Sequence, residues 1–159
     1  MDKNGELSNA GKVDQLILNQ AIDNFKINSY SLSLDIKNFD VSFARGLSLE
    51  DGCATITDFT AYLIAEGLKN ISQKDSITFL VCGGGRKNIN LIDCIKNYLL
   101  NENNITLEII DNYNLKGDYI ESQAFGFLAI RSLLNLPISF SATTGCKEFT
   151  VGGKLVENF

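Results

Sequence analysis

The strongest constraint on how this chain folds lies in "ITFLVCGGGRKNINLIDCI", residues 77 to 95. An unbroken apolar run of strand length, Ile77 to Cys82, meets three consecutive glycines and then a helical pattern. A strand buried on both faces of a parallel sheet has this composition. Asn88 is placed to cap the following helix, whose Leu91, Ile92, Ile95, Tyr98 and Leu99 form one apolar stripe. A second strand is predicted at "ITLEII", 105 to 110, and the spacing of Asp118 and Glu121 predicts a capping box opening a helix to about Leu134. Strand, helix, strand, helix in that order indicates an α/β layer architecture with right-handed crossovers.

Upstream, Ser48 followed by Asp51 has capping-box spacing, and Ile56, Phe59, Thr60, Leu63, Ile64 and Gly67 carry a helix over 50 to 69. Residues 7 to 25 read as one helix with Leu7, Val13, Leu16, Ile17 and Phe25 as its apolar positions. "YSLSLDI", 30 to 36, alternates like a strand and is left unassigned. The expectation is a single domain over 1–159, with 1–45 a partly irregular lead-in and 46–159 the core.

Composition narrows the function. With 45% hydrophobic residues among 159, the chain can bury a sizeable core. A formal net charge of -5 and a pI of about 4.7 argue against nucleic-acid and anionic-membrane partners. The longest late apolar stretch, "FGFLAIRSLLNLPI", is interrupted by Arg131, and the polar start "MDKNGELSNAGK" has no signal-peptide core. A cytoplasmic location is therefore expected. Cys53, Cys82, Cys94 and Cys146 form no CxxC pair and read as buried free thiols. The chain contains no histidine, which removes His triads, His metal sites and His acid–base chemistry.

Three glycines at a strand-to-helix corner have two explanations. One is geometric, since glycine accepts positive φ and close backbone approach. The other is that bare backbone at the carboxyl end of a strand lets a nucleotide approach, with helix amides behind it for phosphate. A corner usually needs one glycine, so Gly83, Gly84 and Gly85 together favour a ligand. No Walker A string is present, and a Rossmann fingerprint fails at Asn88, where its third glycine would stand. In such a dinucleotide fold the ribose-binding acid would be Asp111.

The blocks "GLSLEDGCATITDFTAYLIAEGL", "VCGGGRKNINLIDCI", "ESQAFGFLAIRSLLNLPISF" and "TTGCKEFTVGGKL" occur in that order. Together they resemble the C-terminal part of the anhydro-N-acetylmuramic acid kinases, in the sugar-kinase and actin-like superfamily, over essentially all 159 residues. The resemblance implies a ribonuclease-H-like (actin-like ATPase) lobe, its sheet flanked by helices, with the N-terminal lobe missing. It implies an ATP-dependent enzyme of cell-wall recycling that opens the 1,6-anhydro ring of anhydro-N-acetylmuramic acid and phosphorylates the 6-oxygen. Gly83, Gly84 and Gly85 then fall where the C-terminal lobe presents its adenosine loop, with Arg86 and Asn88 as further nucleotide-binding candidates. Arg86 is either an exposed arginine beside a loop, the default, or a contact to nucleotide phosphate or ribose.

The family's Gly-Thr-Ser-x-Asp-Gly phosphate loop and its Asp-Thr-Gly-Pro-Gly-Asn segment, whose aspartate serves as general base, are both absent. The start of this chain resembles the family's stretch just beyond the second of these motifs. Losing a base costs about 10²–10⁴ in rate, and losing preorganised donors roughly 10²–10³ more. The chain alone is expected to be an inactive part of the kinase, with no catalytic residue of its own. Mg²⁺ is expected to arrive with ATP, with no metal ligand in this chain. Glu121 is read as a helix-start carboxylate, as a cleft residue near the sugar, or as both. Thr143, Thr144 and Gly145 form either a cleft loop or a hydroxyl-stabilised turn. Expected partners are ATP or ADP, the anhydro-sugar only with the N-terminal half, and a separately encoded half; a homodimer is left open. A non-catalytic nucleotide-binding module, a decayed remnant and a Rossmann-type oxidoreductase are the competing readings.

Overall fold

The computed structural model describes residues 2–25, 38–72 and 76–156, so the alternating segment at 30–36 lies outside the described residues. Two compact units are present, Met1–Leu115 and Lys116–Phe159, and each is described by itself.

The first unit begins with α1 (Glu6–Ala10) and α2 (Gln15–Asn24). The single helix expected over 7 to 25 is therefore two. Gly11 causes the break: a side chain there would lie 2.7 Å from the Asp51 amide and closer still to the Glu50 carbonyl, so the chain must leave helical geometry to pass that backbone. Asp14 restarts the helix by accepting the Ile17 amide at 3.0 Å. The restart shifts the buried face. Leu16 is 70% exposed, while Leu18 and Ala21 are buried with Phe59.

Next comes α3 (Leu49–Ile71), which starts at Ser48 as expected; the Ser48 hydroxyl accepts the Asp51 amide at 3.1 Å. The Asp51 carboxylate itself reaches across to the Lys12 amide at 2.7 Å. Strand β1 (Ile77–Val81), α4 (Ile89–Tyr98) and β2 (Ile105–Ile109) form a β-α-β unit with the strands parallel, Ile77 opposite Ile105 and Val81 opposite Ile109. Ala61 and Ala65, one helical turn apart and fully buried, let α4 approach α3 closely. Ile95 and Leu99 fill that seam, against Ile105 and Leu107 of the sheet. Each such buried aliphatic side chain contributes about 1.5–3 kcal/mol.

The expectation that 77 to 82 is buried on both faces is overturned. Burial alternates along β1, with Ile77, Phe79 and Val81 turned inward and Thr78 and Leu80 exposed. The register gives the reason. The inward residues share a face with Ile105, Leu107 and Ile109, where the cluster of α3 and α4 residues packs.

In the second unit, α5 (Ile120–Leu133) has Tyr119 at its N-cap position without a side-chain cap. The predicted Asp118–Glu121 capping box therefore does not form, because the helix begins at Ile120 and leaves Asp118 one residue outside the cap. No residue of α5 is buried; Phe125 and Leu133 are each 64% exposed. The one-turn α6 (Ser141–Thr144) follows, and Ser139 pairs with Thr150 in an isolated antiparallel bridge. The four cysteines are free but not buried: Cys82 is exposed and the others half-buried. Among the described residues no helix is long and apolar enough to cross a membrane.

Candidate functional site

The glycine corner stands at the carboxyl end of β1, between Val81 and α4. Gly83 adopts φ +74° with extended ψ, a conformation that side chains resist, and this residue alone of the three takes a positive φ. Gly84 to Lys87 then form a single 3-10 turn, and the Asn88 amide closes on the Gly85 carbonyl at 3.0 Å. Asn88 caps α4 as predicted, its side-chain oxygen taking the Leu91 amide at 2.9 Å. Its side-chain nitrogen reaches the Asp2 carboxylate at 3.4 Å.

The geometry separates what the corner requires from what it merely allows. Gly83 is required by its φ. At Gly84 a side chain would meet nothing within 4 Å, and Gly84 and Gly85 are both exposed. Neither conformation nor packing calls for glycine at 84. Bare backbone facing open space is the arrangement that a closely approaching ligand needs.

Arg86 departs from its default reading. It is 8% exposed, not a surface arginine. Its Nε donates to Asp111 Oδ2 at 2.6 Å, Nη2 to Oδ1 at 3.2 Å, and Nη1 to the Gly83 carbonyl at 2.8 Å. A guanidinium paired two-pronged with a carboxylate and bonded to a carbonyl can leave water, which explains the burial. Asp111 sits just past β2, at the same edge of the sheet as the glycines. Both of its oxygens engage Arg86, unlike the ribose-binding acid of a dinucleotide fold. Sequence reasoning missed this pair; the residues are 25 apart and no local spacing marks them.

The first unit also holds a cavity of about 330 Å³ between the N-terminal segment and the start of α4, lined by Asn4, Glu6, Asn9, Asn90 and Asp93 among others. A smaller one, about 240 Å³, lies beside Asp58, Cys94, Asn97 and Tyr98. Burial raises the Asp58 carboxyl above its ordinary range, against a lowering hydrogen bond from Tyr98. Burial and the nearby Asp58 charge likewise push the Tyr98 phenol up.

In the second unit Glu121 is exposed in the first turn of α5, where the helix dipole favours a carboxylate. Thr143, Thr144 and Gly145 make a hydroxyl-stabilised turn: the Thr143 and Thr144 hydroxyls donate to the Phe140 carbonyl at 3.1 and 3.2 Å, and Gly145 ends α6. The Thr144 and Ser139 hydroxyls lower the Cys146 thiol below its usual value. No group of three or more metal-ligating side chains gathers among the described residues.

An open glycine corner beside a buried arginine paired with an exposed aspartate, at the carboxyl edge of a parallel β-α-β unit, defines an α/β protein with a candidate nucleotide edge. A family model described as anhydro-N-acetylmuramic acid kinase matches residues 1–158. A protein of that name from Pelagibacter ubique (strain HTCC1062) is 51% identical over 163 residues, covering 99% of this chain and 43% of the relative. Its namesake from Rhizobium rhizogenes is 36% identical, covering 99% of this chain and 41% of the relative. Anhydro-N-acetylmuramic acid kinase 2 of Jannaschia sp. is 33% identical, with 98% and 40% covered. The chain belongs to the anhydro-N-acetylmuramic acid kinase family, and it spans about two fifths of the length of these relatives.

Proposed function

We propose that this chain is the adenine-nucleotide-binding part of an anhydro-N-acetylmuramic acid kinase, built as a ribonuclease-H-like, actin-like lobe. Gly83, Gly84 and Gly85 form the nucleotide's seat, with Arg86 and Asn88 supporting it from behind. One observation carries the reading: Gly84 is bare backbone that neither its φ nor its packing demands. The nucleotide of this reading is ATP, with Mg²⁺, and its place of work the cytoplasm; membership of a kinase family supports the nucleotide.

In the whole reaction, water adds at C1 of the anhydro-sugar, the C1–O6 bond breaks, and the freed 6-oxygen takes the γ-phosphoryl group. A general base must remove the water's proton, and donors must hold the transferring phosphoryl in place. This chain offers neither a base nor a phosphate loop among its candidates, so turnover needs the remaining part of a family-length protein. Glu121 is the carboxylate offered to the sugar side. The uncovered apolar side chains of α5, Phe125 and Leu133 among them, support a chain that works with further protein against it.

Isothermal titration with ADP, ATP and NAD tests the seat. Saturable binding of ADP and ATP, without tighter NAD binding, is the expected result; NAD binding in their absence would overturn it. With ATP and the anhydro-sugar, the purified chain should turn over at least about 10⁴-fold more slowly than a full-length relative. Comparable turnover would refute the incompleteness.

A further inference from the structure

The Arg86–Asp111 pair does more than neutralise a buried charge. Its third bond, from Nη1, holds the carbonyl oxygen of Gly83, the residue whose positive φ makes the corner. A trans peptide is a rigid plane in which the C=O of one residue and the N–H of the next point in opposite directions, and no peptide bond among the described residues is cis. Fixing the Gly83 carbonyl toward the guanidinium therefore turns the Gly84 N–H the other way. Gly84 is exposed, and a side chain there would meet nothing within 4 Å. Without that bond the peptide at a glycine pair could rotate at little cost, because neither residue has a Cβ to resist it.

We propose that Asp111, acting through Arg86, is a positioning residue that locks the Gly83–Gly84 peptide so that the Gly84 amide is presented to an oxygen of the bound nucleotide. Asp111 orients the arginine by two bonds, Arg86 orients the peptide by one, and the peptide presents the donor. The inference rests on the nucleotide seat proposed above and deepens it. It assigns Arg86 to the loop's conformation, and it gives Asp111 a role through Arg86 in place of direct ribose contact.

The test uses Asp111→Asn, the conservative Asp111→Glu, and the double variant Arg86→Met/Asp111→Asn, which removes the buried cation together with the carboxylate should the single variant fail to fold. ADP affinity is read by titration and the Gly84 amide by NMR shift and hydrogen exchange, beside the melting temperature of each chain. Asp111→Asn should weaken ADP on the order of 10-fold, the scale of a lost charge-assisted hydrogen bond, and speed Gly84 exchange, while Asp111→Glu restores part of both. A merely structural pair would lower the melting temperature without changing Gly84 exchange or ADP affinity in the folded chain, and that result overturns the proposal. Should the unaltered chain bind no ADP, the nucleotide reading fails. The lock is then judged on exchange alone: faster exchange in the variants upholds it and unchanged exchange rejects it.

Discussion

Asn88 and Asp2 meet across 86 residues of sequence: the Asn88 side-chain nitrogen donates to Asp2 Oδ2 at 3.4 Å while its oxygen caps α4. The same Asp2 carboxylate accepts the Leu7 and Ser8 amides at 2.8 and 3.3 Å. Burial would raise its pKa, but the bonds from Ser8 and Leu7 outweigh that and hold it below the ordinary value. One carboxylate thus ties the N-terminal turn to the helix behind the glycine corner.

Replacing Asn88 by Ala removes the acceptor for Leu91 and the donor to Asp2 together. The expected cost is about 1 kcal/mol, the usual worth of an N-cap, read as a lower urea midpoint at unchanged slope. A shift indistinguishable from zero would mean that water caps α4 equally well.

Gly83 and Gly84 should respond oppositely to the same change. Gly83→Ala forces a Cβ into φ +74° with extended ψ, a region open essentially to glycine alone, costing about 1–3 kcal/mol of stability whether or not ligand is present. Gly84→Ala adds a methyl to open space and should leave the melting temperature nearly unchanged while weakening ADP binding. Equal ADP affinity in the Gly84 variant would remove the main support for a nucleotide there.

Asp58 supplies a pH dependence. Its carboxyl is raised from the ordinary value of 3.8, chiefly by burial, so the folded state holds its proton more tightly than the unfolded chain does. The stability it contributes is complete below 3.8 and is lost as pH rises through the higher folded value. Asn cannot ionise and still accepts from Tyr98. Asp58→Asn should therefore raise the melting temperature at pH 7 and make no difference at about pH 3, the acid limit where both states are protonated. Equal melting curves at pH 7 would show that the carboxylate is fully solvated.

The elements around the corner were legible because their causes are local. Ser48 and Asn88 cap the helices they were expected to cap, and Ile92, Ile95 and Leu99 bury the stripe their spacing predicts. What could not be read depends on contacts distant in sequence. The break between α1 and α2 arises where Gly11 passes the Glu50 carbonyl, so helical periodicity ran through it unchecked and assigned Leu16, not Leu18, to the core. The glycine triplet was visible as a candidate seat. The burial of Arg86 was not, since it depends on Asp111 arriving on the next strand. At Asp118 and Glu121 a correct local spacing led to a cap that the helix does not use, because it starts one residue later.

Thr55 offers the sharpest test of how the N-terminal helices are held. It has no exposed surface, and its hydroxyl donates to the Asp51 carbonyl at 2.8 Å while accepting the Asp14 amide at 3.1 Å, 41 residues away. Valine has the same shape without the hydroxyl, so Thr55→Val leaves the Asp14 N–H at the start of α2 without its acceptor. That should cost about 1–3 kcal/mol, the penalty for stranding a polar group. Thr60 on the same helix is the control, for its hydroxyl donates only to the Ile56 carbonyl, one turn back. Losing that bond strands no donor, and Thr60→Val should stay within about 0.5 kcal/mol of the unaltered chain. Equal losses at the two positions, measured by urea unfolding, would mean that burial of the methyl groups, and not the Asp14 bond, anchors α2 to α3.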